Sequence, residues 1–186
     1  MRHLALAAAL LAASPAFAAG LASRSADDYE SGRSYLEGLY AAAGGGGQLM
    51  IFTGNNAFGY DLEARLGYSF GPQLQLYLCG ALDSSNFPGL TFRSEQVALC
   101  VQYHFLVRPA VMVYGRVGIG VSLSSNFVPG STAAGLMELG GIGVEIRVAP
   151  SVFLAPEFFY RYENFAAQGV SDVASVIGFQ LALVYY

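Results

Sequence analysis

Three proline turns, Gly71-Pro72, Arg108-Pro109 and Ala149-Pro150, cut the last two-thirds of the chain into long segments in which apolar residues alternate with small or polar ones. Proline has no N–H to give to a β-ladder, so each turn marks a point where strand pairing stops. The clearest segment, Tyr60 to Phe70, places Tyr60, Leu62, Ala64, Leu66, Tyr68 and Phe70 on one face and Asp61, Glu63, Arg65, Gly67 and Ser69 on the other. A period of two is the signature of a strand and not of a helix.

The N-terminus carries Arg2, an apolar run from Leu4 to Ala13, a break at Ser14-Pro15, and then Ala16-Phe17-Ala18. This is the pattern of a secretory signal peptide over residues 1–18, cleaved before Ala19; a retained N-terminal anchor is the alternative. The run is shorter than the ~20 residues a helix needs to span a bilayer. The hydrophobic fraction of 54% is high for a soluble domain, yet beyond the signal no apolar stretch is long enough for a transmembrane helix. With a net charge of −4, the chain offers no basic footprint for nucleic acid.

Residues 19–33, with Asp27, Asp28 and Glu30, read as a short solvated periplasmic arm, and residues 34–186 as one barrel domain. Eight strands are expected at Ser34 to Ala43, Phe58 to Phe70, Gln73 to Leu82, Glu95 to Leu106, Ala110 to Leu123, Gly135 to Val148, Ser151 to Glu163, and Val173 to Tyr186. The three proline turns alternate with four longer connections, Gly44 to Ala57, Asp83 to Ser94, Ser124 to Ala134 and Asn164 to Asp172. In bacterial barrels short turns face the periplasm and longer loops face outward, so an even strand count leaves both termini periplasmic. Long apolar-alternating strands must satisfy their backbone in lipid and hide their sheet edges, and closing the sheet on itself does both. The expected fold is therefore an all-β, eight-stranded antiparallel up-and-down transmembrane barrel. An interior of that size is filled by side chains or one small ligand.

Parity assigns Leu74, Leu76, Leu78, Val97, Leu99, Val101, Val111, Val113, Val117, Ile119 and Val121 to the outside. Tyr68, Phe70, Tyr103, Phe105, Tyr185 and Tyr186 gather near the tight-turn ends as an interfacial girdle. The inward set holds Glu37, Asp61, Glu63, Arg65, Arg116, Glu145, Arg147, Glu157, Arg161 and Glu163, from which an internal Arg/Glu ion-pair network follows, because an unpaired charge in a narrow barrel is costly. Glu138 has the outward parity of Ile142 and Ile146, which calls either for a strand that has left the membrane there or for a bulge near Gly140-Gly141. A soluble lipocalin-like barrel is the structural rival; it predicts an apolar interior, whereas here the charges lie on the face assigned to the inside.

Cys79 and Cys100 fall on consecutive strands and share the inward face. In an exported protein they form either a cross-strand disulfide, if the register brings them together, or two buried free thiols. The two cysteines and His104 lack the spacing of a zinc site, and no cofactor or metal is expected. Neither Gly44 to Gly47 nor the glycines from Gly115 to Gly120 opens a helix that receives a phosphate. The first run reads as a flexible loop entrance, the second as room inside a crowded barrel.

Eight alternating strands, three tight turns, a signal peptide and the terminal segment from Ile177 to Tyr186 resemble the small outer-membrane β-barrel proteins of Gram-negative bacteria, the OmpA-like barrel and OmpX-like group. That resemblance implies an assembly signal for the barrel assembly machinery at Ile177, Phe179, Leu181, Leu183 and Tyr185, with Tyr186 one residue beyond the usual pattern. It also implies outer-membrane lipid and lipopolysaccharide as surroundings. Some barrels of this size are lipid A deacylases that use a Ser and a His close together on strands, but here His104 is followed by Phe105, Leu106 and Val107. The expected function is a non-enzymatic structural or surface-interaction role with a filled lumen. The alternatives are a narrow channel or transport barrel for small solutes, and a lipid A-modifying enzyme.

Overall fold

A computed structural model describes residues 36–52, 55–125, 132–167 and 170–186. The expected signal peptide and N-terminal arm lie outside them. Eight strands follow one another: β1 (Glu37–Phe52), β2 (Asn55–Phe70), β3 (Leu74–Phe87), β4 (Leu90–Val107), β5 (Val111–Ser125), β6 (Thr132–Ala149), β7 (Val152–Ala167) and β8 (Val170–Tyr185). Each pairs antiparallel with its chain neighbours, and β1 pairs with β8 to close the barrel.

The proline turns stand where the sequence puts them, between β2 and β3, β4 and β5, and β6 and β7. Gly71 turns the chain at φ 122°, a left-handed conformation that glycine adopts without strain. Register shifts fall beside two of these turns, between His104 and Leu106 and between Arg147 and Ala149. The opposite end departs from expectation. Much of the sequence assigned to four long loops is strand, so β3 and β4 run to within a Pro88-Gly89 turn of each other, with Gly89 at φ 79°. In the third connection Asp83 and Ser94 read as loop but continue the ladder and find partners in the lumen.

The run Gly44 to Gly47 corrects the reading most sharply: it is no loop entrance but the middle of β1, paired with β2 on one side and β8 on the other. A Cβ on Gly44 would lie 2.7 Å from the Cα of Ala182, and one on Gly46 would lie 1.9 Å from the carbonyl oxygen of Phe179. Here glycine permits close backbone approach rather than flexibility.

A row of directly paired residues leaves β1 at Ala41, passes Leu66, Leu78, Leu99, Ile119, Glu138, Tyr162 and Ser175, and returns to β1 at Ile51. That offset is the shear of a closed barrel with tilted strands. The row is an outward one, with Leu66, Leu78, Leu99 and Ile119 exposed. Glu138 belongs to it and is exposed, in an unbroken ladder through Gly140 and Gly141, so of the two alternatives for this residue the bulge is absent. Tyr68, Phe70, Tyr103 and Phe105 are exposed outward near the tight-turn end. Tyr186 does not join them; it turns into the barrel and is buried.

Candidate functional site in the barrel lumen

Inward parity gathers the polar side chains into three groups stacked along the barrel. The central one is a closed ring of four charges from β2, β5 and β7. Arg65 holds Glu63 at 2.5 Å and Glu157 at 2.9 Å, and Arg116 holds the same two carboxylates at 2.9 Å and 2.5 Å. Arg116 meets Glu63 through both terminal nitrogens, the fork geometry that a guanidinium offers a carboxylate. Tyr114 donates to Glu157 at 2.6 Å, Gln180 donates to it at 2.8 Å, and the Cys79 thiol donates to Glu63 at 3.4 Å.

Nearer the end opposite the proline turns, Arg161 donates to Asp61, to Asp83 at 2.6 Å and to the amide oxygen of Gln96 at 2.6 Å. Gln96 in turn donates to Asp83 and to Glu163, each at 2.7 Å, and Ser94 donates to Glu163 at 3.4 Å. One guanidinium here serves two carboxylates, and Gln96 and Ser94 supply neutral donors where the central ring has a second arginine. Arg161 also lies 4.5 Å from the Phe159 ring centre.

At the proline-turn end the acceptor is Glu145, which takes hydrogen bonds from Gln102 at 2.9 Å and from the Tyr186 hydroxyl at 2.8 Å. His104 Nε2 lies 3.2 Å from the same carboxylate, and the imidazole packs edge-on against Tyr114. Aromatic side chains cluster at both ends, the tyrosines among the polar residues of the Glu145 group, where Tyr186 donates to Glu145 and Tyr77 donates to Gln102. Tyr40, Tyr77, Phe153 and Tyr186 cluster with ring centres 5.0 to 5.5 Å apart at one, and Phe52, Phe87, Phe92 and Phe165 cluster at the other. Such edge and tilted contacts are favoured beyond the area they bury.

Of the ten charged residues assigned to the lumen, Asp61, Glu63, Arg65, Arg116, Glu145, Glu157, Arg161 and Glu163 are brought together there. Glu37 is exposed, because Leu36, Gly38 and Tyr40 set the inward parity of β1. Arg147 is half-buried at the β6–β7 turn, donating to the carbonyl of Pro150 at 2.9 Å and lying over Phe153. Sequence reasoning missed Asp83, Ser94 and Gln96, assigning Asp83 and Ser94 to a loop. The signal was available: Asp83 continues the inward parity of Gln75, Tyr77, Cys79 and Ala81.

The cysteines are not directly opposed. Cys79 pairs with Ala98 and Cys100 with Tyr77, so the two are diagonal neighbours, and both are buried free thiols, the second of the two arrangements the sequence allows. The Cys100 sulfur occupies space left by Gly118, where a Cβ would lie 2.6 Å from it. Among the described residues no His, Cys, Asp and Glu grouping has an arrangement that would hold a metal. The terminal set Ile177, Phe179, Leu181, Leu183 and Tyr185 shares the outward parity of β8.

The sequence matches no protein-family profile and no curated protein. Solved structures with the same architecture include Neisserial surface protein A, 15% identical, with a TM-score of 0.67 over 79% of this chain and 96% of that one. The outer membrane enzyme PagL is 15% identical, with a TM-score of 0.53 over 77% of this chain and 97% of its own. The outer membrane protein OprG of Pseudomonas aeruginosa is 13% identical, with a TM-score of 0.51 over 82% and 97%. With its charges gathered inside and its leucines, valines and aromatics turned outward, the chain has the fold of the small eight-stranded transmembrane β-barrels of the outer membrane.

Proposed function

We propose that this protein is an integral outer-membrane barrel with a structural or surface-interaction role, whose lumen is closed by its Arg/Glu network and conducts nothing. The observation that carries this reading is the burial of the lumen charges: Arg116, Arg161, Asp61 and Glu157 are 0 to 2% exposed. A water-lined pore would leave such side chains wet. Each is instead engaged by a neighbour across the barrel, in an interior of the width that side chains fill. His104, the only histidine among the described residues, is engaged by Glu145 inside the lumen rather than presented on the outer wall, which favours a non-enzymatic role.

In this reading the proline turns and both chain termini face the periplasm, and the opposite rim meets the surroundings. Export follows from the N-terminal signal, and the barrel assembly machinery recognises the apolar face of the last strand. Outer-leaflet lipid and lipopolysaccharide surround the wall. Planar-bilayer recording of the purified protein tests the closed lumen: a flat current is expected, and steady unitary steps altered by Arg116→Ala would overturn it.

A further inference from the structure

The outer wall carries a shallow, open indentation among the described residues. It lies across the β1–β8 seam, has a volume of about 370 Å³, and has Gly47 in its floor. Leu49, Phe58, Phe158, Ile177 and Phe179 form its walls, with Phe58 78%, Phe158 52% and Phe179 55% exposed. Gly47 pairs with Phe179 on one side and Tyr60 on the other. A Cβ built on it meets nothing nearer than the Gly59 carbonyl at 4.0 Å, so no side chain of the barrel fills the gap.

The indentation has a definite depth. Ala41 pairs with Tyr185 at the level of the proline-turn girdle. Strands tilted by about 40° climb about 2.5 Å per residue, so the steps from Ala41 to Gly47 amount to about 15 Å of an apolar band about 25 Å tall. The groove therefore opens into the leaflet on the side away from the proline turns. Its lining suits an acyl chain, since the wall side chains are apolar and the furrow opens sideways into the lipid. A second copy of the barrel is a poorer occupant, since a stable interface needs about 800 Å² from each partner and this patch is a narrow furrow on a convex wall.

We propose that this groove seats one acyl chain of an outer-leaflet lipid, held against Gly47 between Phe58, Phe158 and Phe179. The proposal rests on the membrane-barrel reading above. Glycine at this position lets a methylene chain lie against the backbone, and the aromatic walls flank it on both sides. The seated chain covers the seam where β1 has no side chain of its own to do so.

Native mass spectrometry of the delipidated barrel, titrated with dimyristoyl phosphatidylethanolamine in detergent, tests it. The wild-type barrel is expected to retain one lipid at the lowest lipid concentrations. Gly47→Phe, which fills the groove, is expected to weaken retention by about tenfold or more, as changes of one or two methylenes in an apolar seat do. Ile119→Phe, on the opposite wall, is expected to leave it unchanged. Equal retention by all three proteins would overturn the proposal, as would a doubled mass that Gly47→Phe abolishes, which would assign the groove to a second copy. Should Gly47→Phe fail to fold, Phe179→Ala removes a wall instead, and unchanged retention in that variant is equally decisive. Heat-modifiable migration on a gel is read on the same samples: its absence in the wild-type protein would sink the barrel reading itself, whereas its presence with unselective retention sinks the acyl-chain seat alone.

Discussion

Each carboxylate of the central ring is held between two guanidinia, and this sets what a single deletion does. Arg116→Met removes one cation from Glu63 and one from Glu157, leaving both buried carboxylates to Arg65 alone. Breaking a buried ion pair from one side costs about 3 to 5 kcal/mol, because the surviving charge stays desolvated. The urea midpoint of the heat-modifiable band is expected to fall accordingly, and the double variant Arg116→Met/Glu63→Gln to recover part of the loss. Tyr186 offers a graded test of the same logic. Tyr186→Phe keeps the ring against Tyr40 and Phe153 but removes a donor from Glu145, for a loss of about 1 to 3 kcal/mol, whereas Tyr186→Ala also empties the aromatic layer and costs about 3 to 5 kcal/mol. Thermal melting in the same detergent ranks the two.

At the scale of the strand, β1 separates two kinds of glycine that the sequence writes identically. Gly46 faces a backbone carbonyl on β8 so closely that a methyl group has no place, while Gly47 faces the open groove. Gly46→Ala is expected to cut the yield of heat-modifiable barrel severely, and Gly47→Ala to leave it unchanged; densitometry of unboiled gels separates the two outcomes. This distinction marks what sequence reading reached and what it did not. Alternation located the three proline turns, the outward rows and most of the lumen charges, because period two is local information. It was silent over Gly44 to Gly47, where no side chain reports a face. Over Asp83 to Ser94 the polar composition resembles a loop and outweighed a parity that Asp83 continues, so inward ligands of Arg161 and Glu163 went unassigned. Register is long-range information, so the diagonal placement of Cys79 and Cys100 could be read only from the paired strands, whereas the inward turn of Tyr186 follows the parity of Gln180, Ala182 and Val184.

At the scale of the molecule, the lumen is filled at successive levels: the Glu145 group with Tyr186 and Tyr77 bonded into it, the central ring, the Arg161 group and the phenylalanine cluster. Levels in series close a path independently. Phe92→Ala is therefore expected to lower stability by about 3 to 5 kcal/mol, as truncation of a buried aromatic does, without giving unitary current steps in a planar bilayer. Steps appearing in that variant alone would locate the seal in the phenylalanine layer and not in the ionic network. The outer wall follows a different rule, since only its shape and apolarity matter there. Glu138 is the exception, an exposed carboxylate in line with Ile119 and Tyr162.

The pairing of β1 with β8 joins the two strands farthest apart in the chain, and loop-closure entropy makes such a contact late to form. Until it forms, the β8-facing edge of β1 stands unpaired, and an open edge is a template for pairing with the wrong chain. In this protein that edge runs from Ala41 to Ile51, and its middle, Gly44 to Gly47, is poor in β propensity and bare of apolar side chains. The edge that must wait longest for its partner thus carries at its centre a stretch ill suited to recruiting another molecule's strand while it waits.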